Sequence, residues 1–165
     1  MPWKTNVIVV ANVTATSPEL LETLELRAQQ QPCAFTLIVP ATAYGGGMRA
    51  AAATLKEALA KLRGAGLEVE GQVGARNPIV AVDEVWDPKR HDQIIVSTLP
   101  LSSSKWLRAG LPERIGRLTG APVTHIVSQP PKPVLVTGPP PQRRPHLLGP
   151  LEVLGWGGAE RRYPA

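Results

Sequence analysis

An unbroken apolar run near the N-terminus constrains the fold most. Residues 7–11 read Val-Ile-Val-Val-Ala, with no polar side chain for water to solvate. A strand of this composition is buried on both faces, which is typical of a parallel sheet covered by helices on both sides. Short apolar runs at residues 35–39 and 94–96 have the same character. We therefore expect an α/β domain.

Helical patterns separate these strands. Ser17 followed by Pro18 predicts one helix N-terminus, and Asn77 followed by Pro78 predicts another. Leucines at helical spacing predict two more helices, around residues 52–62 and 111–118. Residues 67–73 and 122–127 complete a set of five strands and four helices. Short connections and right-handed crossovers then predict an open five-stranded parallel sheet with helices on both faces. Periodicity does not choose between the strand orders that such a sheet allows.

Proline marks the expected domain boundary. Nine of the 18 prolines lie in residues 128–165, including the triplet at 139–141, and such stretches favour extended backbone without internal hydrogen bonds. We predict an α/β domain over residues 1–128 and a Pro-rich, basic C-terminal extension over residues 129–165. Residues 1–127 are nearly balanced in charge, with 13 Lys and Arg against 11 Asp and Glu.

The composition of the chain argues against several classes of protein. Aromatic residues are only 4% of the chain and the basic residues form no stripe, so nucleic-acid binding is not expected. No apolar run is long enough to cross a membrane. The single cysteine, Cys33, excludes an intramolecular disulfide and a multi-cysteine metal site. The N-terminus lacks the pattern of a signal peptide, and we expect a cytoplasmic protein.

The three histidines are scattered in sequence. His91 precedes a predicted strand, His125 lies within the last one, and His146 lies in the extension. They form neither the spacing of a metal site nor a Ser-His-Asp order. The sequence therefore specifies no catalytic group and no metal ligand set.

Ligands of open parallel sheets bind beyond the carboxyl ends of the strands, so the loops that follow the strands are the candidate site. Asn12 follows the first strand, where its amide either contacts a ligand or ties down its own turn. Residues 97–108 contain three consecutive serines, Lys105 and Arg108. These side chains either surround a phosphate or form a polar crossover loop that Trp106 anchors.

Three stretches in the second half of the domain are informative together: residues 94–98 (Ile-Ile-Val-Ser-Thr), 110–115 (Gly-Leu-Pro-Glu-Arg-Ile) and 121–127 (Ala-Pro-Val-Thr-His-Ile-Val). They resemble the C-terminal half of the universal stress protein family. The first strand aligns as well, although that family ends it in Asp where this chain has Asn12. The resemblance covers about residues 5–128. It implies strand order 3-2-1-4-5 and a homodimer that pairs through the last strand.

ATP-binding members of that family carry G-x2-G-x9-G-[S/T], which holds the phosphates and the ribose. This chain keeps the spacing as Ser97, Pro100, Gly110 and Leu111, but only Gly110 keeps the family's residue. Pro100 has no backbone N–H and Leu111 no hydroxyl, so two donors of the usual ATP site are missing. The positions that the resemblance assigns to nucleotide binding are Asn12, Val39, Ser97, Thr98, Ser103, Gly110 and Leu111.

The leading functional prediction is a universal stress protein-like protein without catalysis or an obligatory cofactor. It would form a homodimer and bind a partner or a small ligand in a stress response. The alternative is an ATP- or AMP-binding nucleotide sensor with at most slow ATPase activity. A further alternative is a scaffold whose Pro-rich extension recruits another protein.

Overall fold

A computed structural model describes residues 3–129 of the chain, so the predicted extension at residues 129–165 lies outside the described part except for its first residue. Within that part the strands and helices alternate. The strands are β1 (Thr5–Val10), β2 (Cys33–Pro40), β3 (Val69–Gly74), β4 (Gln93–Thr98) and β5 (Val123–Val127), and the helices are α1 (Pro18–Gln30), α2 (Gly47–Gly64), α3 (Pro78–Val85), α4 (Lys105–Arg108) and α5 (Leu111–Thr119). A single 3-10 turn, Ala43–Gly45, precedes α2.

The five strands form one parallel sheet in the order β3-β2-β1-β4-β5. This confirms both the α/β class and the strand order that the family resemblance implied. The order reverses at β1, which pairs with β2 on one side and with β4 on the other. All strands run in one direction, so the loops that follow β1, β2 and β4 meet at the same edge.

Two apolar clusters fill the space between the sheet and its helices. Alternate residues of β1 point to opposite faces, so Val7 and Val9 join one cluster while Ile8 and Val10 join the other. All four side chains are buried. Burial on both faces is why the run at residues 7–11 contains no polar residue.

The predicted helix caps are present. Ser17 Oγ accepts a hydrogen bond from Leu20 N at the start of α1, and Asn77 Oδ1 accepts one from Ile79 N at the start of α3. Gly120 closes α5 with a left-handed φ of 66°. These bonds satisfy backbone groups that a helix end leaves open.

Two details differ from the sequence-based expectation. Strand β3 begins at Val69 rather than at residue 67, because Leu67 N bonds to Leu62 O and so closes the turn that follows α2. The polar loop after β4 contains the extra helix α4, which Ser104 caps through a bond from Leu107 N. Among the described residues, every helix falls short of the length and apolar character needed to cross a bilayer.

Candidate functional site

A cavity of about 280 Å³ lies beyond the carboxyl ends of β1 and β4. This is the point where the strand order reverses, the usual location of ligands in open α/β sheets. Its wall comes from the loop after β1, the turn before α2, the end of β4 and the segment that leads into α4. The lining residues are Asn12, Val13, Thr14, Tyr44, Ser97, Thr98, Leu99, Ser103, Ser104, Lys105 and Trp106.

Two buried hydroxyls on the cavity wall bond to one another. Ser97 Oγ donates to Thr14 Oγ1 across 2.9 Å, and Thr14 Oγ1 donates to the Ser97 carbonyl oxygen across 3.1 Å. Oγ of Ser128 lies 3.3 Å from Oγ of Ser97 and 2.8 Å from Oγ of Ser17. These four hydroxyls form one buried chain between the cavity wall and the cap of α1. Ser97 and Thr14 therefore hold the wall together and have no proton left to donate to a ligand.

The other two polar groups at the strand ends are also paired. Asn12 Nδ2 donates to Thr42 Oγ1 across 2.7 Å, which joins the loop after β1 to the loop after β2. Thr98 Oγ1 donates to Leu99 O and lies 2.8 Å from His125 Nε2 on β5. Asn12 therefore joins two loops rather than tying down its own turn, and its contact with a ligand stays a prediction. His125 is a partner for Thr98.

The opposite wall comes from the segment around α4 and carries the positive charge. Lys105 Nζ lies 4.4 Å from the centroid of the Tyr44 ring, an arrangement in which the ring face attracts the ammonium. Arg108 turns away and donates to the carbonyl oxygens of Leu101 and Ser102, which fixes the loop before α4. Lys105 is therefore the cation that reaches the cavity, while Arg108 shapes the loop.

Trp106 also lines the cavity, and its indole is buried. Its exposed fraction is 7%, and it packs in the apolar cluster with Leu111 and Ile115. Within residues 3–129, its Nε1–H has no hydrogen-bond partner. A buried donor left unpaired costs about 1–3 kcal/mol, so an acceptor that entered the cavity and reached this N–H would gain a hydrogen bond.

The structure brings together four of the predicted nucleotide-binding positions, Asn12, Ser97, Thr98 and Ser103. It leaves the other three outside the cavity lining. Val39 lies in the apolar core, Gly110 precedes α5 with a φ of 63°, and Leu111 is the buried first residue of that helix.

Thr14 is a lining residue that the sequence reasoning did not single out. It lies two residues beyond Asn12 in the same loop, and that position was the only signal available. Lys105 was weighed as a phosphate ligand and Trp106 as an anchor of its loop, but neither these two residues nor Tyr44 was among the seven assigned positions. Their convergence depends on contacts between the loops after β2 and β4.

The cavity lining suits an anion that is not bound to a metal ion. Within the described residues, the cavity lining contains no carboxylate, histidine or cysteine, and its one cationic group is Lys105. A search of residues 3–129 likewise finds no cluster of three such side chains that could hold a metal ion. Mg²⁺ is held in proteins mainly by carboxylates, so the donor set fits a ligand that binds without this metal.

No protein-family model matches the chain, and no curated protein matches it by sequence. Among solved structures, a universal stress protein in complex with cAMP superposes with a TM-score of 0.57 at 18% identity, over 78% of this chain and 99% of that one. The universal stress protein from Archaeoglobus fulgidus in complex with dAMP gives a TM-score of 0.53 at 17% identity, over 76% of this chain and 99% of that one.

The topology and the cavity define an open α/β domain with a cavity at its switch point. Its fold is that of the universal stress proteins, as the resemblance in the sequence indicated.

Proposed function

We propose that the protein binds an adenine mononucleotide in the cavity between β1 and β4. The observation that carries the proposal is the cavity itself, which lies at the switch point and combines a cation, two aromatic side chains and a buried N–H donor. Two proteins of the same fold are described in complex with cAMP and with dAMP, ligands that each contain adenine and one phosphate group.

Size and charge favour one phosphate over three. The cavity measures about 280 Å³, close to the lower end of the roughly 300–1,000 Å³ found for small-molecule sites. A triphosphate carries several negative charges and normally arrives with Mg²⁺. In the described part of the chain, the lining offers Lys105 as its one cation and no carboxylate for the metal. AMP is therefore a better fit than ATP.

We further propose that binding occurs without turnover. Hydrolysis of a phosphate ester needs a positioned base or a metal-bound water. Among residues 3–129, the lining supplies neither a carboxylate nor a histidine, and its hydroxyls at Thr14, Ser97 and Thr98 are already paired. After incubation with AMP or ATP, chromatography should show the nucleotide intact.

The cytoplasmic location and the role in a stress response stay predictions from the sequence.

Two adjacent serines allow a sharp test of the binding site. Ser103 and Ser102 are both exposed, but only Ser103 lines the cavity. Ser103→Trp should fill the cavity, and Ser102→Trp places the same bulk outside it. In calorimetric titrations with AMP, we expect saturable binding for the wild type and for Ser102→Trp, and its loss for Ser103→Trp. Equal binding by all three proteins would place the ligand elsewhere, and no binding by the wild type would overturn the proposal.

A second proposal concerns self-association through β5. This strand pairs with β4 on one side only, and among the described residues its other side has no strand partner. Val127 on β5 is 45% exposed. An open edge with exposed apolar side chains is a template for pairing with another strand, and we propose that a second copy of the chain fills it.

A matched pair of valines tests this dimer. Val80 on α3 is 43% exposed, nearly the same as Val127. Val127→Lys places a charge on the edge strand, and Val80→Lys places it on a helix. By light scattering after size exclusion, the wild type and Val80→Lys should have the mass of a dimer and Val127→Lys that of a monomer. A monomeric wild type, or a dimeric Val127→Lys, would contradict the proposal.

A further inference from the structure

Three hydroxyls on the cavity wall have no free proton to give a ligand. Ser97, Thr14 and Thr98 donate within the domain, and one N–H of the Asn12 amide donates to Thr42. A ligand that displaced any of these bonds would have to replace it, because a buried polar group without a partner is costly. The hydroxyls at the strand ends therefore form a closed wall that carries no anion.

Four of the side-chain donors that remain free lie on one short segment. In the described part of the chain, Lys105 Nζ makes no hydrogen bond and lies over the face of the Tyr44 ring. Trp106 Nε1–H is buried without a partner. The hydroxyls of Ser103 and Ser104 adjoin them on the cavity wall. All four donor groups belong to residues 103–106.

We propose that residues Lys105 and Trp106 form the phosphate-binding end of the cavity, and that the ligand's phosphate binds there without a metal ion. This inference rests on the proposed function. The two groups differ from the backbone amides of a glycine-rich loop, since both act through their side chains. The Lys105 ammonium supplies the charge, and the Trp106 indole supplies a directed donor for a phosphate oxygen.

Binding would change the contact that Lys105 makes. In the structure its ammonium rests on the ring of Tyr44, which is itself 56% exposed. A phosphate oxygen is a stronger partner for an ammonium than an aromatic face. Lys105 would then move to the phosphate, and the ring face of Tyr44 would become free to stack on the base.

A comparison of AMP with adenosine isolates the phosphate. We expect AMP to bind the wild type at least about tenfold more tightly than adenosine, the effect of one charge-assisted bond. Lys105→Met and Trp106→Phe should each remove most of this preference and change adenosine binding by less than about twofold. Lys56→Met removes an exposed lysine of α2 outside the cavity and is the matched charge control. Addition of Mg²⁺ should leave AMP affinity unchanged.

The outcomes distinguish the claim that the cavity binds a nucleotide from the claim that Lys105 and Trp106 hold its phosphate. If Lys105→Met and Trp106→Phe keep the wild-type preference for AMP, or weaken AMP and adenosine equally, the phosphate end lies elsewhere while nucleotide binding stands. If neither compound binds the wild type, the proposed function falls and this inference falls with it. Should Trp106→Phe fail to fold, the indole N–H resonance of Trp106 in the wild-type protein tests the proposal instead. It should move with AMP and stay in place with adenosine, and the reverse would overturn the proposal.

Discussion

The side chains of Ser17 and Ser128 lie with their Oγ atoms 2.8 Å apart, although 111 positions separate them in the chain. Ser17 caps the first helix, and Ser128 follows the last strand directly. Ser128 is fully buried and its N–H bonds to Thr98 O. One hydroxyl pair therefore joins the beginning and the end of the described domain, next to the wall of the cavity.

Loss of the Ser128 hydroxyl should destabilise the domain. Ser128→Ala leaves the hydroxyls of Ser17 and Ser97 each without one partner in a buried setting. We expect a loss of about 1–2 kcal/mol in the free energy of unfolding, measured by urea denaturation. Ser102→Ala is the control, because it removes an exposed serine hydroxyl, in the loop before α4, and should change the free energy of unfolding little. Equal stability of Ser128→Ala and the wild type would show that the hydroxyl chain contributes nothing.

The close approach of β3 to α3 gives a second prediction. A Cβ at Gly74 would lie 2.6 Å from Cβ of Ala81 and 2.8 Å from Cγ2 of Ile38, both within the packed interior. Gly74→Ala should therefore cost about 1–3 kcal/mol through overpacking. Gly64→Ala, at the end of α2 where a Cβ meets open space, should stabilise the protein by up to about 1 kcal/mol. Thermal unfolding of both variants checks the contrast, and a stable Gly74→Ala would contradict the packing described.

Cys33 gives a prediction for alkaline pH. Burial raises the pKa of its thiol above the ordinary value of 9.0, and the charge of Arg27 opposes part of that increase. The folded protein therefore keeps the thiol proton at a pH where the unfolded chain loses it. The resulting contribution to stability is fully present below the unfolded pKa and is lost as the pH rises through the folded pKa.

Denaturation of Cys33→Ala and the wild type isolates this effect, since other alkaline titrations are common to both proteins. From pH about 7.5 to about 10.5, the wild type should lose more stability than Cys33→Ala. In the folded protein at neutral pH, Cys33 should also react slowly with thiol reagents, because both its burial and its raised pKa disfavour the thiolate. A stability difference that does not change with pH would contradict the raised pKa.

The fold was predictable because its signals are local. The apolar run at residues 7–11 and the caps at Ser17 and Asn77 each specify a strand or a helix N-terminus without reference to distant residues. The strand order has no such local signal, because it depends on which crossovers pack together. Only the family resemblance predicted it. The helix α4 was missed because its four residues are too few to show a helical period.

The location of the candidate site could be predicted from the sequence, but the hydrogen bonds of its side chains could not. Asn12 and Ser97 were assigned to it because parallel strands end at one edge, and both do line the cavity. Their hydrogen bonds could not be anticipated, because Ser97 pairs with Thr14 across 83 positions and Asn12 pairs with Thr42 across 30. Such long-range pairing uses up the hydroxyl protons of Ser97 and Thr14 and leaves Lys105 and Trp106 among the free donors.

The most direct test of the central claim is a titration of the isotope-labelled protein with AMP, followed by backbone amide resonances. We predict saturable shifts that cluster in the lining at residues 12–14, 97–99 and 103–106, with little change at the opposite end of the sheet around residues 87–91. Shifts of this pattern would establish the cavity between β1 and β4 as a mononucleotide site. An absence of saturable shifts, or a cluster of shifts away from the lining, would contradict the account.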